Sequence, residues 1–200
     1  MKHDYFAHKA HRYEKNERTV GTVDEIAKAV CDTVVLRDDM HIMDVGSGTG
    51  LLLERIAPRV AKVTAVDISN SMNAQLQAKS DKAGWDLEII EADLAQTDLP
   101  QRFDGIISSM TMHHIEDTAA MFARFHGLLN EGGFIAIADL DAEDGTFHTE
   151  DTGIFHFGFD RREFVALAEG AGFQRAATTD ASVYRREQSD YPLFLLTAYK

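Results

Sequence analysis

His41-Ile42-Met43-Asp44-Val45-Gly46-Ser47-Gly48-Thr49-Gly50 is the stretch whose reading decides the fold. Its first half reads as a short buried strand. Its second half is a glycine-rich turn, and Leu51-Leu52-Leu53-Glu54-Arg55-Ile56 opens a helical pattern directly behind it. A strand–glycine turn–helix unit brings bare backbone N–H groups close to a ligand, because glycine has no Cβ to block the approach. Two phosphate-binding readings of such a turn fail here. The dinucleotide fingerprint needs a third glycine one position after Gly50, where Leu51 stands. The phosphate-cradling loop needs a Lys-Ser/Thr pair after the glycines, and none is present. The turn therefore suits a ligand without a pyrophosphate.

Working outward, the chain alternates strand and helix. Val23, Ile26, Ala27, Val30, Cys31 and Val34 recur at helical spacing, which predicts a helix over 22–35. A helix is expected from Leu51 to Val60, then a strand from Lys62 to Asp67, and a helix over 70–83 capped by Ser69 or Asn70 and stopped by Gly84. Strands follow at Leu87 to Ala92 and Phe103 to Ser109. Asp117 is placed to cap a helix over 118–129. Asn130-Glu131-Gly132-Gly133 reads as a tight turn into a strand from Phe134 to Asp139. After an irregular stretch over 141–159, a helix is expected over 160–170, then strands at 173–184 and 191–199. The charged turn between these two, Arg185 to Asp190, has no room for a helix, so they must pair antiparallel. The pattern predicts one domain over 1–200: an open, mostly parallel sheet with helices on both faces. Residues 1–21 form an N-terminal arm or lid, and 141–159 a substrate-side loop. Right-handed crossovers bring the glycine turn and the strand-end acids Asp67 and Asp93 to one rim. A carboxylate at the end of the second strand can accept both hydroxyls of a ribose, and Asp93 would then face the base.

Composition narrows the partners. The chain has 200 residues, 33 acidic against 20 basic, and a net charge of −13. That argues against non-specific binding to nucleic acid or to anionic membranes, both of which favour basic surfaces. The single cysteine, Cys31, excludes an internal disulfide and a cysteine-based zinc cluster. No stretch has the ~18 apolar residues of a membrane span, and the start Met1-Lys2-His3-Asp4-Tyr5 lacks the apolar run of a signal peptide. The expected location is the cytoplasm. The oligomeric state is not legible.

Four motifs in order carry a resemblance: Met43-Asp44-Val45-Gly46-Ser47-Gly48-Thr49-Gly50, Val66-Asp67-Ile68-Ser69, Glu91-Ala92-Asp93-Leu94 and Phe103-Asp104-Gly105-Ile106-Ile107-Ser108-Ser109. Together they resemble the successive motifs of class I S-adenosylmethionine-dependent methyltransferases, and Gly132-Gly133-Phe134 is similar to that family's turn into strand five. The resemblance covers about 40–200. Tyr5-Phe6 through Arg12-Tyr13 resembles the lead-in helix of the small-molecule branch that includes the ubiquinone/menaquinone methyltransferases. It implies a Rossmann-like three-layer αβα sandwich with sheet order 3-2-1-4-5-7-6 and strand 7 antiparallel. The implied cofactor is S-adenosyl-L-methionine, with S-adenosyl-L-homocysteine as product. Gly46, Ser47, Gly48 and Gly50 would hold the methionine part and Asp44 its amino group. Asp67 would hold the ribose hydroxyls, Ile68 the adenine ring, and Asp93 and Leu94 the adenine edge. Met110 would lie beside the sulfonium, and Tyr13 could close over the cofactor.

The resemblance implies methyl transfer to a small molecule by in-line displacement. There is no basic face, no added domain, and no Asn-Pro-Pro-Tyr-like segment after strand four, where Ser108-Ser109-Met110-Thr111 stands. Rival readings are a protein methyltransferase, a cofactor-binding subunit that does not turn over, and a nicotinamide-dependent oxidoreductase, which the glycine spacing opposes. His113 and His114 follow strand four and are the candidate base, if the acceptor has a proton to lose. The competing reading packs His114 under the loop and leaves His113 solvated or against the cofactor. His113, His114, His148 and His156, with Asp139 or Asp141, show no recognisable metal-ligand spacing, so no metal is expected.

Overall fold

The computed structural model describes residue 5 and residues 14–150, 152–187 and 189–200. Seven strands form one sheet: β1 (His41–Val45), β2 (Lys62–Asp67), β3 (Leu87–Glu91), β4 (Phe103–Ser109), β5 (Leu129–Leu140), β6 (Gln174–Arg185) and β7 (Asp190–Tyr199). Their order is β3-β2-β1-β4-β5-β7-β6. β1 to β5 are parallel, and β7 runs antiparallel to both β5 and β6. The expected order and the antiparallel last strand are both found.

The central strands are buried on both faces, and successive side chains point to opposite sides, which splits the core into two layers. Ile42, Ile107, Ala136 and Ala138 face one side, with Leu53, Leu76 and Ile26 from the helices there. Met43, Ile106, Ile135 and Ile137 face the other, with Phe122, Phe125 and Phe164. The first layer holds α1 (Glu17–Thr33), α2 (Leu53–Ile56) and α3 (Asn70–Ala83); the second holds α4 (Thr118–Leu128) and α5 (Arg161–Gly170). Phe164 is locked edge-on between Phe122 (5.1 Å) and Phe194 (5.2 Å). Truncating so buried a ring would cost about 3–5 kcal/mol.

The caps read from sequence form. Ser69 accepts from Met72 N, Asp117 from Ala120 N, and Asp160 from Arg162 N and Glu163 N. Gly84 stops α3 in the left-handed conformation, φ 72°. Some boundaries differ. α1 begins at Glu17 rather than 22, because the Asn16 side chain accepts from Arg18 N and caps it there. Residues 17–21, expected in the arm, are thus helical. The helix expected over 51–60 shortens to Leu53–Ile56 and tightens into a 3-10 turn over Ala57–Arg59 around Pro58. Asn130 to Gly133 is an excursion within β5. Leu129 pairs with Phe103 and Phe134 with Gly105, so the intervening residues bulge outward.

Among the described residues of 141–159 there is no regular element except a bridge between Asp141 and Phe159. Phe159 N donates to Leu140 O (2.9 Å), and Ala142 N to Phe159 O (3.0 Å), closing the loop at its root. Arg161 grips Asp141 through two hydrogen bonds (2.6 and 2.7 Å) and reaches Asp180 on β6 at 2.7 Å. These carboxylates raise the Arg161 pKa further. Among the described residues, no helix is long and apolar enough to cross a membrane.

Candidate functional site

The carboxyl ends of β1, β2, β3 and β4 meet at one rim, as a parallel sheet requires. Two cavities open there. One, of about 260 Å³, is lined by Asp67, Ile68, Asp93, Leu94, Met121 and Phe155, among others. The other, of about 190 Å³, is lined by Asp44, Ser47, Thr49, His113, His148 and Tyr184, among others. Gly46, Gly48, Ser109, Met110 and His114 border both, so the two form one trough with a waist at the glycine turn.

The turn is held by its own chemistry. Gly46, Gly48 and Gly50 all have positive φ (69°, 52° and 81°), a region open to glycine and strained for most L residues. They do different work. A Cβ on Gly46 would strike Thr111 Oγ1 at 2.2 Å, and one on Gly50 would strike Leu76 Cδ1 at 2.4 Å. A Cβ on Gly48 would meet nothing within 4 Å and would take up trough space. Gly50, expected among the cofactor residues, borders neither cavity and instead makes room for Leu76. That role could not be read from the motif, because it depends on which α3 side chain arrives behind the turn.

Asp67 fastens the turn to the end of β2. Its Oδ2 accepts from Gly48 N and its Oδ1 from Ser69 N, both at 2.8 Å. Asp67 also lines the larger cavity. Asp93 likewise accepts from Ala95 N at 3.0 Å and lines the larger cavity. Asp44 is buried, and its Oδ2 has no hydrogen-bond partner. Ser47 Oγ and Thr49 Oγ1 are also buried and unpartnered. Burial, helped by Asp67, pushes the Asp44 carboxyl up to about 8. An uncompensated carboxylate beside two orphaned hydroxyls is costly unless a ligand supplies donors. A cationic amine is such a ligand, and Asp44 is where it would go.

Met110 sits just past β4 with φ 57°, a conformation few non-glycine residues adopt, and its N–H donates to Ala138 O at 2.9 Å. Strain of this kind collects at functional sites. Tyr13 lies outside the described residues. Tyr5 is described, and its ring rests on Gly153, where a Cβ would come within 2.5 Å of it. Tyr5 and Phe155 both line the larger cavity, so arm and loop share its wall.

The competing expectation fails in one part, the solvation of His113. His113 is not solvated: it is 1% exposed, and its Nδ1 donates to the fully buried Asp139 Oδ1 at 2.7 Å. Asp139 Oδ2 accepts from His113 N (3.3 Å), and its Oδ1 also accepts from Leu140 N (2.8 Å). His114 borders both cavities, with Nδ1 donating to Gly153 O at 3.4 Å. Burial, then the neighbouring His113, lower its pKa to about 3, so it is neutral and weakly basic. The 3-10 turn Met112–His114 directs His113 inward to β5. Asp139 is the functional residue that sequence reasoning underused. Its signal was an acid closing an otherwise apolar strand.

His148 arrives from the loop, and one ring nitrogen of each of His113, His114 and His148 lies within 4.8 Å of the others. Asp141 and His156 are engaged elsewhere, by Arg161 and by Ile115 O (2.9 Å).

Comparison with known proteins agrees with this architecture. The family described as "Methyltransferase domain" matches residues 42–133. Uncharacterised methyltransferases of Mycobacterium bovis and Mycobacterium tuberculosis are each 36% identical over 110 residues, covering 54% of this chain and 55% of the relative. The chain thus spans just over half the length of these curated relatives. A Bacillus thuringiensis methyltransferase is 30% identical over 134 residues, covering 64% and 62%. Among solved structures, a chain of the complex between the Haloferax volcanii Trm112 methyltransferase activator and a methyltransferase superposes with a TM-score of 0.79. It has 16% identity, and the match covers 98% of this chain and 96% of that one. The Bradyrhizobium japonicum N-methyltransferase NodS, solved with S-adenosyl-l-homocysteine, gives 0.74 at 14% identity, covering 98% and 94%. These distant structures establish the shared fold. With its ordered motifs, its β3-β2-β1-β4-β5-β7-β6 sheet and the methyltransferase domain matched over residues 42–133, the chain is similar to the class I S-adenosylmethionine-dependent methyltransferases and shares their fold.

Proposed function

We propose that this protein is an enzyme that transfers a methyl group from S-adenosylmethionine to a small-molecule acceptor in the cytoplasm. The observation that carries the reading is the waisted trough. One end offers ribose and base partners, the waist is bare glycine backbone, and the other end holds the buried Asp44 and the histidines. The orphaned Asp44 Oδ2 and the open space at Gly48 fit the ammonium and the methionine stem of that cofactor.

When bound, the cofactor supplies a methyl group already activated by a sulfonium centre. The chain's own residues bind, orient and exclude water. Asp67 would accept from the ribose hydroxyls, Ile68 would pack on the adenine, and Asp93 with the Leu94 N–H would read its edge. Gly46, Ser47 and Gly48 would line the methionine stem, and Asp44 its ammonium. Met110 would lie at the waist beside the sulfur. Tyr13 remains the proposed cover from the arm. His113 and His114 front the acceptor end. His114, held neutral and weakly basic, is a poor proton acceptor, whereas Asp139 fixes the His113 ring. The net charge of −13 supports a small acceptor over nucleic acid.

Calorimetry of S-adenosylmethionine binding, followed by incubation of methyl-labelled cofactor and pure protein with a metabolite extract, tests this. The expected result is saturable binding and label in a small molecule. No cofactor binding, or label only in protein, would overturn it.

A further inference from the structure

The acceptor end holds a group of side chains that methyl transfer by itself does not require. His113 and His114 come from the 3-10 turn after β4, and His148 from the loop more than thirty positions later. Their ring centroids lie 4.3, 5.0 and 5.7 Å apart. On a tetrahedral ion with metal–nitrogen bonds near 2.05 Å, three imidazoles would have centroids about 5 Å apart and ligand nitrogens about 3.3 Å apart. The observed centroid spacings straddle that value. The nitrogens, within 4.8 Å of one another, need to close by roughly 1.5 Å at most.

The outward contacts of the three rings point the same way. His113 Nδ1 donates to Asp139 Oδ1 at 2.7 Å, and His114 Nδ1 to Gly153 O at 3.4 Å. His148 Nδ1 meets Thr152 Oγ1 at 3.1 Å. In every ring Nδ1 faces an oxygen outside the group. Metal-bound imidazoles are oriented in this manner, by a carboxylate, carbonyl or hydroxyl on the second nitrogen. The loop is also bolted to the turn: Phe155 N donates to His113 O at 2.9 Å, and His156 N to the same oxygen at 3.3 Å.

We propose that His113, His114 and His148 bind one divalent transition-metal ion of the zinc type, with a fourth position open to the trough. Three neutral nitrogens and no oxygen donor disfavour magnesium and calcium, which take oxygen ligands. They suit zinc, cobalt or iron(II). Three protein ligands with one open position are the arrangement of metal sites that act on a substrate, rather than of closed structural sites. This replaces the sequence expectation of no metal, which rested on spacing along the chain. The open position suits an acceptor with a hydroxyl or thiol, whose acidity the ion would raise. That extension, unlike the site itself, rests on the methyl-transfer reading.

The test is titration of the untagged, metal-stripped full chain with cobalt(II) chloride, followed by visible absorption and calorimetry. We expect one ion per chain, with the intense ligand-field bands of a four-coordinate site. His148→Ala should weaken binding at least about 30-fold and Asp139→Asn about 10-fold, while His156→Ala should leave it unchanged. No saturable binding, or unchanged affinity in a folded His148→Ala, overturns the site. His148 lies in the loop rather than the core, so its variant keeps the test decisive if His113→Ala fails to fold. Cobalt binding without S-adenosylmethionine binding would remove the methyl-transfer reading and leave the metal site standing. The reverse would remove the metal site alone.

Discussion

The two ends of the trough are built in different ways. The Asp67–Asp93 end is made of backbone turns and strand-end acids. Each carboxylate is tied to N–H groups no more than a few residues away or on the next strand, as with Asp67 to Ser69 N and Asp93 to Ala95 N. The histidine end is made across distance. His113 is set by Asp139, 26 residues on, and His148 is carried in by a loop rooted on Asp141 and Phe159. A site written in local geometry recurs as a motif, whereas a site assembled from separate segments leaves only scattered residues in the sequence. The first end fixes a common ligand, and the second is where the chain can be individual.

Breaking the contrast at Asp44, in the smaller cavity beside the glycine turn, should give the largest effect. Asp44 holds its proton up to about pH 8 in the folded chain, against an ordinary value near 4 when unfolded. Between those values the folded state binds more protons than the unfolded one. The stability of the ligand-free protein should therefore be greatest below pH 4 as far as this group is concerned, and fall by up to about 1.4 kcal/mol per pH unit through that window. Chemical denaturation of wild type and Asp44→Asn across pH 5 to 8 checks this, and the variant should lose the slope. A cationic ligand reverses the sense, so S-adenosylmethionine affinity should rise with pH over the same range.

Next in size is Asp67→Ala. It removes the anchor of Gly48 and the proposed ribose contacts, and should weaken S-adenosylmethionine at least about 100-fold by calorimetry. His148→Ala, at the far end, should change that affinity by less than about threefold. Equal losses in both variants would erase the proposed division.

The glycines sharpen the division inside the turn itself. Gly50→Ala drives a methyl against Leu76 and should cost roughly 1–3 kcal/mol of stability. Gly48→Ala meets no neighbour, so beyond about 1 kcal/mol of backbone strain its effect should fall on ligand affinity. Thermal denaturation paired with calorimetry separates the two. The smallest effect is expected at the half-exposed loop root. Arg161→Lys should lose the bidentate grip on Asp141 and no more than about 1 kcal/mol, read by urea denaturation.

Much of this was legible beforehand. The mostly apolar runs of β1, β4 and the second half of β5, the caps at Ser69, Asp117 and Asp160, and the hairpin of β6 and β7 are local features that composition and spacing express directly. The sheet order came through the four ordered motifs, and the structure brings residues of the first three to one rim. What was not legible is tertiary in origin. The role of Gly50 depends on Leu76, and the start of α1 on a single Asn16 hydrogen bond. The inward turn of His113 depends on a buried acid on the next strand, 26 residues later. The meeting of His148 with His113 and His114 depends on how a loop without periodicity folds back, which no pattern encodes.

The closed root of that loop has a consequence for engineering. Asp141 and Phe159 are bridged neighbours, and the backbone bonds from Leu140 to Phe159 and from Phe159 to Ala142 seal the entry and exit. What lies between them is a cassette with fixed ends. Its closure entropy changes only slowly with length, so segments of other lengths and chemistries can be spliced between 142 and 158 without re-registering β5 against β7. A library built there would vary the acceptor preference while the glycine turn, Asp67 and Asp93 stay as they are.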